Sequence, residues 1–547
     1  MLAAADTYVV VLALPDMMAG AGLGIQALQR GTPIISGFLL GYIAVLPLIG
    51  RLADLVPRRH ILIACLAIFV VGSAVTAVAV ELPVMVGGRF LQGLGGGGLV
   101  PATLALVADL WPPGRRGMPL GLVGAVQELG AVLGPLLGAA VLLVSTWRAI
   151  FWLNVTLGVL CALAIWALGR TAGRSRDEGA VARRSSRLMS LLIVVVALIA
   201  TVLTVLALWA PQALVTSVAY GEPFVPLAPG SGSRAATPIG LAAAVAILVL
   251  GLLSAPRWLP LLLRADLLGA TLVALALGSL VLTFSSADPE TEVLGPWGLW
   301  LLPVGAVAVV GFVIRQRTAA DPLVAPGVVR GRVGPALVVS LLVGAALVAI
   351  VVDVPLLARL DGETTQTQAA LVLVRFLVAV PVGAVLGGLL LRRIGPGLVA
   401  APGLALAAGA LVVMATWTRG SLAEDVSTTL VLAAAGLGVG LAIAPVNDAA
   451  LADARDDAHG TVSSLVVVAR MVGMVVGLAL LTAVGLRRFY DAVALLPDPT
   501  DAQALLDAGV VQVQTVFTGA AIAAALAALL ALRLGRRSAD RDRVTAS

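Results

Sequence analysis

Lysine is absent from this chain, and charge of either sign is scarce. Only 12% of the 547 residues are charged, and all 35 basic residues are arginine. Soluble domains carry about twice that share of charge, so a chain in which 60% of residues are hydrophobic has too little polar surface to stay in water. The formal charge of +6 comes from arginines scattered along the chain, not gathered on one soluble face, which excludes a nucleic-acid partner. Cysteine is limited to Cys65 and Cys161, both inside apolar runs, so no disulfide framework is expected. Histidine is limited to His60 and His459. Neither has an acidic pair at metal-ligand spacing, so no metal and no other cofactor is expected, and Asp453, Asp456 and Asp457 read as a solvated loop. The N-terminus has no basic leader or cleavage site. Met1 opens almost directly into an apolar run: either the first helix is short on its cytoplasmic side, or the start lies upstream.

What the chain has in abundance is apolar runs of membrane-crossing length. Sixteen are found, near 1–20, 32–50, 61–80, 83–107, 119–143, 150–169, 188–210, 238–254, 266–284, 297–314, 333–352, 369–391, 396–416, 429–447, 461–484 and 513–533. The expected fold class is an all-α polytopic membrane protein of about 16 spans. With both termini cytoplasmic, 25 of the 35 arginines fall in cytoplasmic segments, three in spans and seven outside. Shifting one helix in or out would spoil that bias.

The runs group into an N-terminal six-helix unit (1–169), a basic cytoplasmic loop (170–187), an extra hairpin (188–265), a linker pair (266–332), a C-terminal six-helix unit (333–533) and a tail (534–547). Residues 211–238 read as an irregular outward loop. Residues 485–512 read as two spans extended outward and joined at Pro497 and Pro499.

Several motifs sit on this map. Gly50-Arg51-Leu52-Ala53-Asp54 followed by Arg58-Arg59 joins two spans by a short cytoplasmic turn. Gly50 permits close helix approach, Asp54 can cap or pair with a neighbouring helix end, and the arginines anchor at headgroups. Gly388 to Arg393 repeats the pattern in the second half with Arg392 in the aspartate's place. Asp6 lies in the first span, where it is either a cavity-facing ionisable group or a helix-end aspartate. Arg89-x-x-Gln92-Gly93 opens a glycine run to Gly98 that suits helix packing rather than phosphate binding. Arg89 serves either to hold a carboxylate charged or as a purely structural ion pair.

Glu128 precedes Gly130-x-x-x-Gly134-Pro135-x-x-Gly138, a closely packed, bendable stretch expected at the interface of the two halves. Its carboxyl either carries a proton or makes a structural hydrogen bond. Trp147-Arg148, Phe151 and Asn154 read as an interfacial anchor. Arg470 is a second buried arginine, Arg375 has the option of snorkelling outward, and Asp353 reads as interfacial.

Together these motifs resemble the major facilitator superfamily, and Asp6 to Pro15 resembles the first span of its fourteen-span drug:proton antiporters. Asp6 to Val11, Gln127 to Pro135, Val352 to Pro355, Phe376 to Gly388 and Val466 to Phe489 resemble that family's triacylglycerol-exporting branch, whose mycobacterial members work beside a periplasmic lipoprotein. The resemblance implies two six-helix bundles with additional helices between them, rocking around a central cavity in a bacterial cytoplasmic membrane. It implies Asp6 and Glu128 as proton-coupling residues, with Arg89 and Arg470 as counter-charges. Gly50, Asp54, Arg58 and Arg59 would form a cytoplasmic gate, and Gly130, Gly134, Pro135 and Gly138 an antiporter motif. The implied partners are the bilayer, protons, a lipid (triacylglycerol-like or a lipoglycan precursor) or other hydrophobic substrate, and a periplasmic lipoprotein. Multidrug:proton antiport is the alternative, and a polytopic membrane enzyme or a non-transporting receptor the remote ones.

Overall fold

The computed structural model describes residues 1–22, 28–112, 115–172, 183–215, 222–225, 234–285, 298–360, 366–423, 425–498 and 501–535. Most of the basic loop and the tail after 535 therefore lie outside the described residues.

Among the described residues every regular element is helical. The first half holds α1 (Leu2–Gly20), α2 (Leu28–Leu55), α3 (Arg58–Val78), α4 (Leu82–Leu110), α5 (Gly117–Val144) and α6 (Trp147–Ala172). Next come α7 (Arg183–Trp209), a four-residue α8 (Gln212–Val215), α9 (Pro238–Arg264), α10 (Leu267–Ser285) and α11 (Gly298–Thr318). The second half holds α12 (Val333–Leu360), α13 (Gln366–Ile394), α14 (Pro396–Met414), α15 (Asp425–Ala452), α16 (His459–Val493) and α17 (Ala502–Ala531). Each of the sixteen apolar runs has become one long helix. Among the described residues, fourteen of these helices are long and apolar enough to cross a membrane, and the apolar stretch of α10, Leu267–Thr283, is shorter.

Glycine determines which helices touch. Gly93 and Gly97 of α4 lie against the Phe38 and Tyr42 carbonyls of α2, so a Cβ at either would collide with backbone. Gly436 and Gly440 of α15 meet the Phe376 and Val380 carbonyls of α13 in the same way. Small residues permit such approach where the lipid tails on offer are as apolar as the side chains. The repeated pairing shows the two halves to be copies of one helical frame, as the paired loop motifs suggest.

The halves meet along α5 with α13 and α2 with α16. Here the expectation for the glycine-rich stretch of α5 is corrected. Gly130, Gly134 and Gly138 face Met1, Ala5 and Val9 of α1, inside the same half. The contact between halves is made earlier on α5, where Gly117 and Gly121 meet Gly388, and Gly124 meets Ile443. The Pro135 side chain lies outside the described ones.

The inserted helices form two pairs. α10 packs on α11 and on α2, whereas α7 packs on α9 and touches α3. The α7–α9 pair is tied to the first half by the Arg234 backbone N–H, which donates to Glu81 Oε1. Beyond the second half, α16 runs for 35 residues, about 52 Å at 1.5 Å per residue and well over the ~30 Å hydrocarbon thickness. The start of α17 is braced to the loop before α15, where Arg419 donates to Gln503 at 2.6 Å and pairs with Asp507 at 3.3 Å.

Candidate functional site

Three clusters of charge lie at successive depths. Asp6 is the centre of the first. It is 1% exposed on α1 and forms an ion pair with Arg89 of α4. Its Oδ1 also accepts from Gln92 Nε2 at 2.8 Å and from Asn154 Nδ2 of α6 at 2.6 Å. Gln92 is held in turn by Ser73 at 2.9 Å, and Arg89 by the Ile34 carbonyl at 3.2 Å and the Phe38 ring at 4.5 Å. Both oxygens of this carboxylate are engaged, the condition on which a charge survives burial. Asp6 is therefore internal rather than at a helix end facing water. Asn154 is 7% exposed and belongs to this cluster, not to an interfacial anchor. Trp147 and Arg148 of the same motif do sit at a helix end, with the guanidinium 4.3 Å from the indole and donating to the Ala79 carbonyl. Beside Asp6 and Asn154 a crevice runs among α1, α5 and α6, lined otherwise by apolar residues such as Val9, Leu137, Val141 and Leu153.

The second cluster is Glu128 of α5 and Arg470 of α16, 3.9 Å apart with side chains 14% and 11% exposed. It spans the boundary between the halves, so a pair 342 positions apart in sequence joins two helices that occupy equivalent places in the repeat. Tyr42 of α2 lies within electrostatic reach of both.

The third cluster joins the two halves at the end of α2, the end expected to be cytoplasmic. Asp54, on the last turn of α2, accepts from the Gly460 N–H at 2.6 Å, the Thr461 N–H at 2.9 Å and the Thr461 hydroxyl at 2.6 Å. It thus caps the N-terminus of α16, in the opposite half, where the free backbone donors and the helix dipole favour an anion. Gly50, one turn earlier, sits against Gly460 and Ser464, which leaves no room for a side chain. Arg58 is not a headgroup anchor. It turns inward to Asp54 at 3.7 Å and to Asp109 at the end of α4 at 3.1 Å, whereas Arg59 is exposed. His459 is buried with Nδ1 3.5 Å from Asp109.

A second tie lies nearby that the sequence motifs did not single out. Arg116, 1% exposed at the start of α5, donates through Nε to Asp448 Oδ1 at 2.7 Å and through Nη2 to the Asp448 carbonyl at 3.1 Å. Where the repeated loop has Arg392 in place of an aspartate, the halves are joined by this ion pair instead. Of the loop aspartates, Asp456 and Asp457 are solvent-exposed as expected, Asp457 pairing with Arg455 at 2.6 Å, whereas Asp453 pairs with Arg332 at 2.6 Å. Asp353, expected at an interface, is 2% exposed within α12, which continues past it to Leu360. No group of side chains able to hold a metal ion occurs among the described residues.

Comparison with known proteins places this arrangement. The family model of the Major Facilitator Superfamily matches residues 1–322. A triacylglyceride transporter of Mycolicibacterium smegmatis is 36% identical over 520 residues, covering 93% of this chain and 77% of the relative. A triacylglyceride transporter of Mycobacterium tuberculosis is 34% identical over 571 residues, covering 99% of this chain and 94% of the relative. Among solved structures, the human organic anion transporter MFSD10 matches with a TM-score of 0.54 at 15% identity, covering 97% of this chain and 96% of that one, a likeness of fold alone. These are transporters, and the membrane-enzyme reading falls with them. A helical frame duplicated in two halves, closed by an aspartate-capped loop and matched over most of its length by these relatives, places the chain in the Major Facilitator Superfamily, as one of its membrane transporters.

Proposed function

We propose that this transporter is a proton-coupled exporter of triacylglycerol-like lipids that works by alternating access. The observation that carries the reading is the Glu128–Arg470 pair. It joins the halves at 3.9 Å and is partly buried, so protonating Glu128 removes the attraction and leaves Arg470 without its counter-charge. A proton taken up there biases the halves apart or together, which is the differential interaction that a rocking cycle needs. The cytoplasmic ends are latched by Asp54 and Arg116, so this state is the one from which cargo leaves on the opposite side. Asp6 is held by Arg89 and two amides, which suits a second coupling site that releases its partner only after a larger rearrangement.

The lipid assignment rests on the relatives' substrate and on the apolar lining of the crevice beside Asp6. The long α16–α17 extension offers a route or dock outside a bacterial cytoplasmic membrane, where a periplasmic lipoprotein is the expected recipient. The two inserted pairs are read as a linker (α10, α11) and a lipid-facing hairpin (α7, α9). Proteoliposomes carrying an imposed pH gradient test the assignment when fluorescent triacylglycerol and ethidium are followed in parallel. Gradient-driven lipid movement that is lost in Glu128→Gln is the expected result. Ethidium movement alone would assign the chain to multidrug antiport, and movement of neither would remove the coupled-export reading.

A further inference from the structure

The shared frame of the two halves can be laid out residue by residue. Gly93 and Gly97 of α4 correspond to Gly436 and Gly440 of α15, through their equivalent contacts with α2 and α13. Gly134 of α5, on Ala5 of α1, corresponds to Gly477 of α16, on Ala345 of α12. In that register Arg89 corresponds to Leu432, Gln92 to Ala435 and Asp6 to Ala346. All three second-half positions are buried and apolar. The cluster that neutralises Asp6 therefore has no counterpart in the second half.

Yet α12 carries a carboxyl of its own. Asp353 lies seven residues, or about two turns, beyond the position matching Asp6. It is 2% exposed, and its buried Oδ2 has no hydrogen-bond partner among the described residues. The surrounding core includes Ile350, Val354 and Leu357 of α12 with Val516 and Phe517 of α17. The helices packed on α12 bring Arg375 on α13, Arg470 and Arg487 on α16 and Asp507 on α17, while α15 brings Asp448 near its cytoplasmic end. None of these makes an ion pair with Asp353. A lone carboxylate in such a place forfeits several kcal/mol of hydration with nothing in return, whereas the neutral acid does not.

We propose that Asp353 is a proton-binding site of the C-terminal half, distinct from Asp6 and Glu128. It holds its proton while the cytoplasmic ends are latched and releases it when rocking of the halves brings water to α12. Its place in the cycle rests on the proton-coupled reading above; its protonation in the latched state does not. The bookkeeping is one carboxylate plus one proton giving one carboxylic acid, so each cycle moves one proton more than Glu128 alone accounts for.

Infrared spectroscopy of the purified full-length protein at neutral pH reads the protonated form directly through the carboxylic-acid C=O stretch. A band present in wild type and in Asp6→Asn, lost in Asp353→Asn and retained in Asp353→Glu, is the expected result. A band unchanged in Asp353→Asn, or no such band in wild type, overturns the proposal. The absence of the wild-type band decides against it even where the Asn variant does not fold. In proteoliposomes, Asp353→Asn is expected to lower the protons moved per lipid while the lipid still binds; an unchanged ratio assigns Asp353 a structural part only. Failure of wild type to respond to any gradient would remove the coupled-export reading and leave the infrared result standing.

Discussion

At the scale of the residue, the account turns on how buried charge is balanced. Asp6 and Arg89 are both almost fully enclosed, and each satisfies the other together with Gln92 and Asn154. Arg89→Gln would leave the carboxylate without its cation. The expected cost is about 3–5 kcal/mol, the usual penalty for breaking a buried pair from one side. Thermal unfolding in detergent measures it, and the double variant Asp6→Asn with Arg89→Gln should recover most of the loss. If the double variant is no more stable than Arg89→Gln alone, the pair is not the interaction that matters. The four residues were each visible in the sequence as motif members, but their meeting was not, because they come from three helices separated by up to 148 positions. Asn154 misled for a physical reason. Its neighbours Trp147 and Arg148 do belong at a membrane boundary, and a helix carries a residue seven positions later about 10 Å deeper.

At the scale of the element, glycine sets the distance between helices, and the contacts are unforgiving. Gly97→Leu places a side chain where the Tyr42 carbonyl of α2 already sits, and Gly436→Leu does the same against the Phe376 carbonyl of α13. Both variants should lose the monodisperse folded peak in size-exclusion chromatography. Gly87→Leu should keep it, because nothing lies within 4 Å of a Cβ there. The cytoplasmic latch makes a milder prediction. Removing Asp54 strips the first turn of α16 of an anionic cap, and each charged hydrogen bond contributes about 1.5–3 kcal/mol. Asp54→Ala should therefore raise accessibility to a cytoplasmic thiol probe at positions flanking Gly460. Unchanged labelling would mean the cap holds nothing shut.

The sequence was clear about these elements in some respects and opaque in others. Hydropathy located each long helix, since a run of apolar residues has no other use at that length. That Asp54 meets a neighbouring helix end could be read from the Gly50 to Arg59 loop, but which helix it caps could not. The glycines from Gly130 to Gly138 were assigned to the wrong neighbour. Small residues announce a close contact but not which helix supplies it. The Arg116–Asp448 tie had no motif at all, because each residue alone is an ordinary charge near a helix end.

At the scale of the whole molecule, two copies of one frame have diverged in opposite directions. The first half keeps a fully neutralised acidic cluster around Asp6. The second replaces it with apolar side chains and carries Asp353 further along the same helix. Between them, the pseudo-equivalent helices α5 and α16 contribute one charge each, and the Glu128–Arg470 pair results. The ties made by Asp54 and Arg116 and this central pair all join the halves, so breaking them requires the halves to move relative to one another.

Rigid-body rocking coupled to Glu128 is the central claim, and a distance across the cytoplasmic end tests it most directly. Spin labels at Arg59→Cys and Arg455→Cys sit on exposed positions of opposite halves, in a background where the exposed Cys161 and buried Cys65 are replaced. Pulsed electron–electron resonance in lipid nanodiscs should resolve a short, latched distance and a longer, open one. Their proportions should shift with pH in wild type, and the shift should be clearly smaller in Glu128→Gln, where only the remaining carboxyls respond. A single distance at every pH, or an identical shift in Glu128→Gln, would contradict the account.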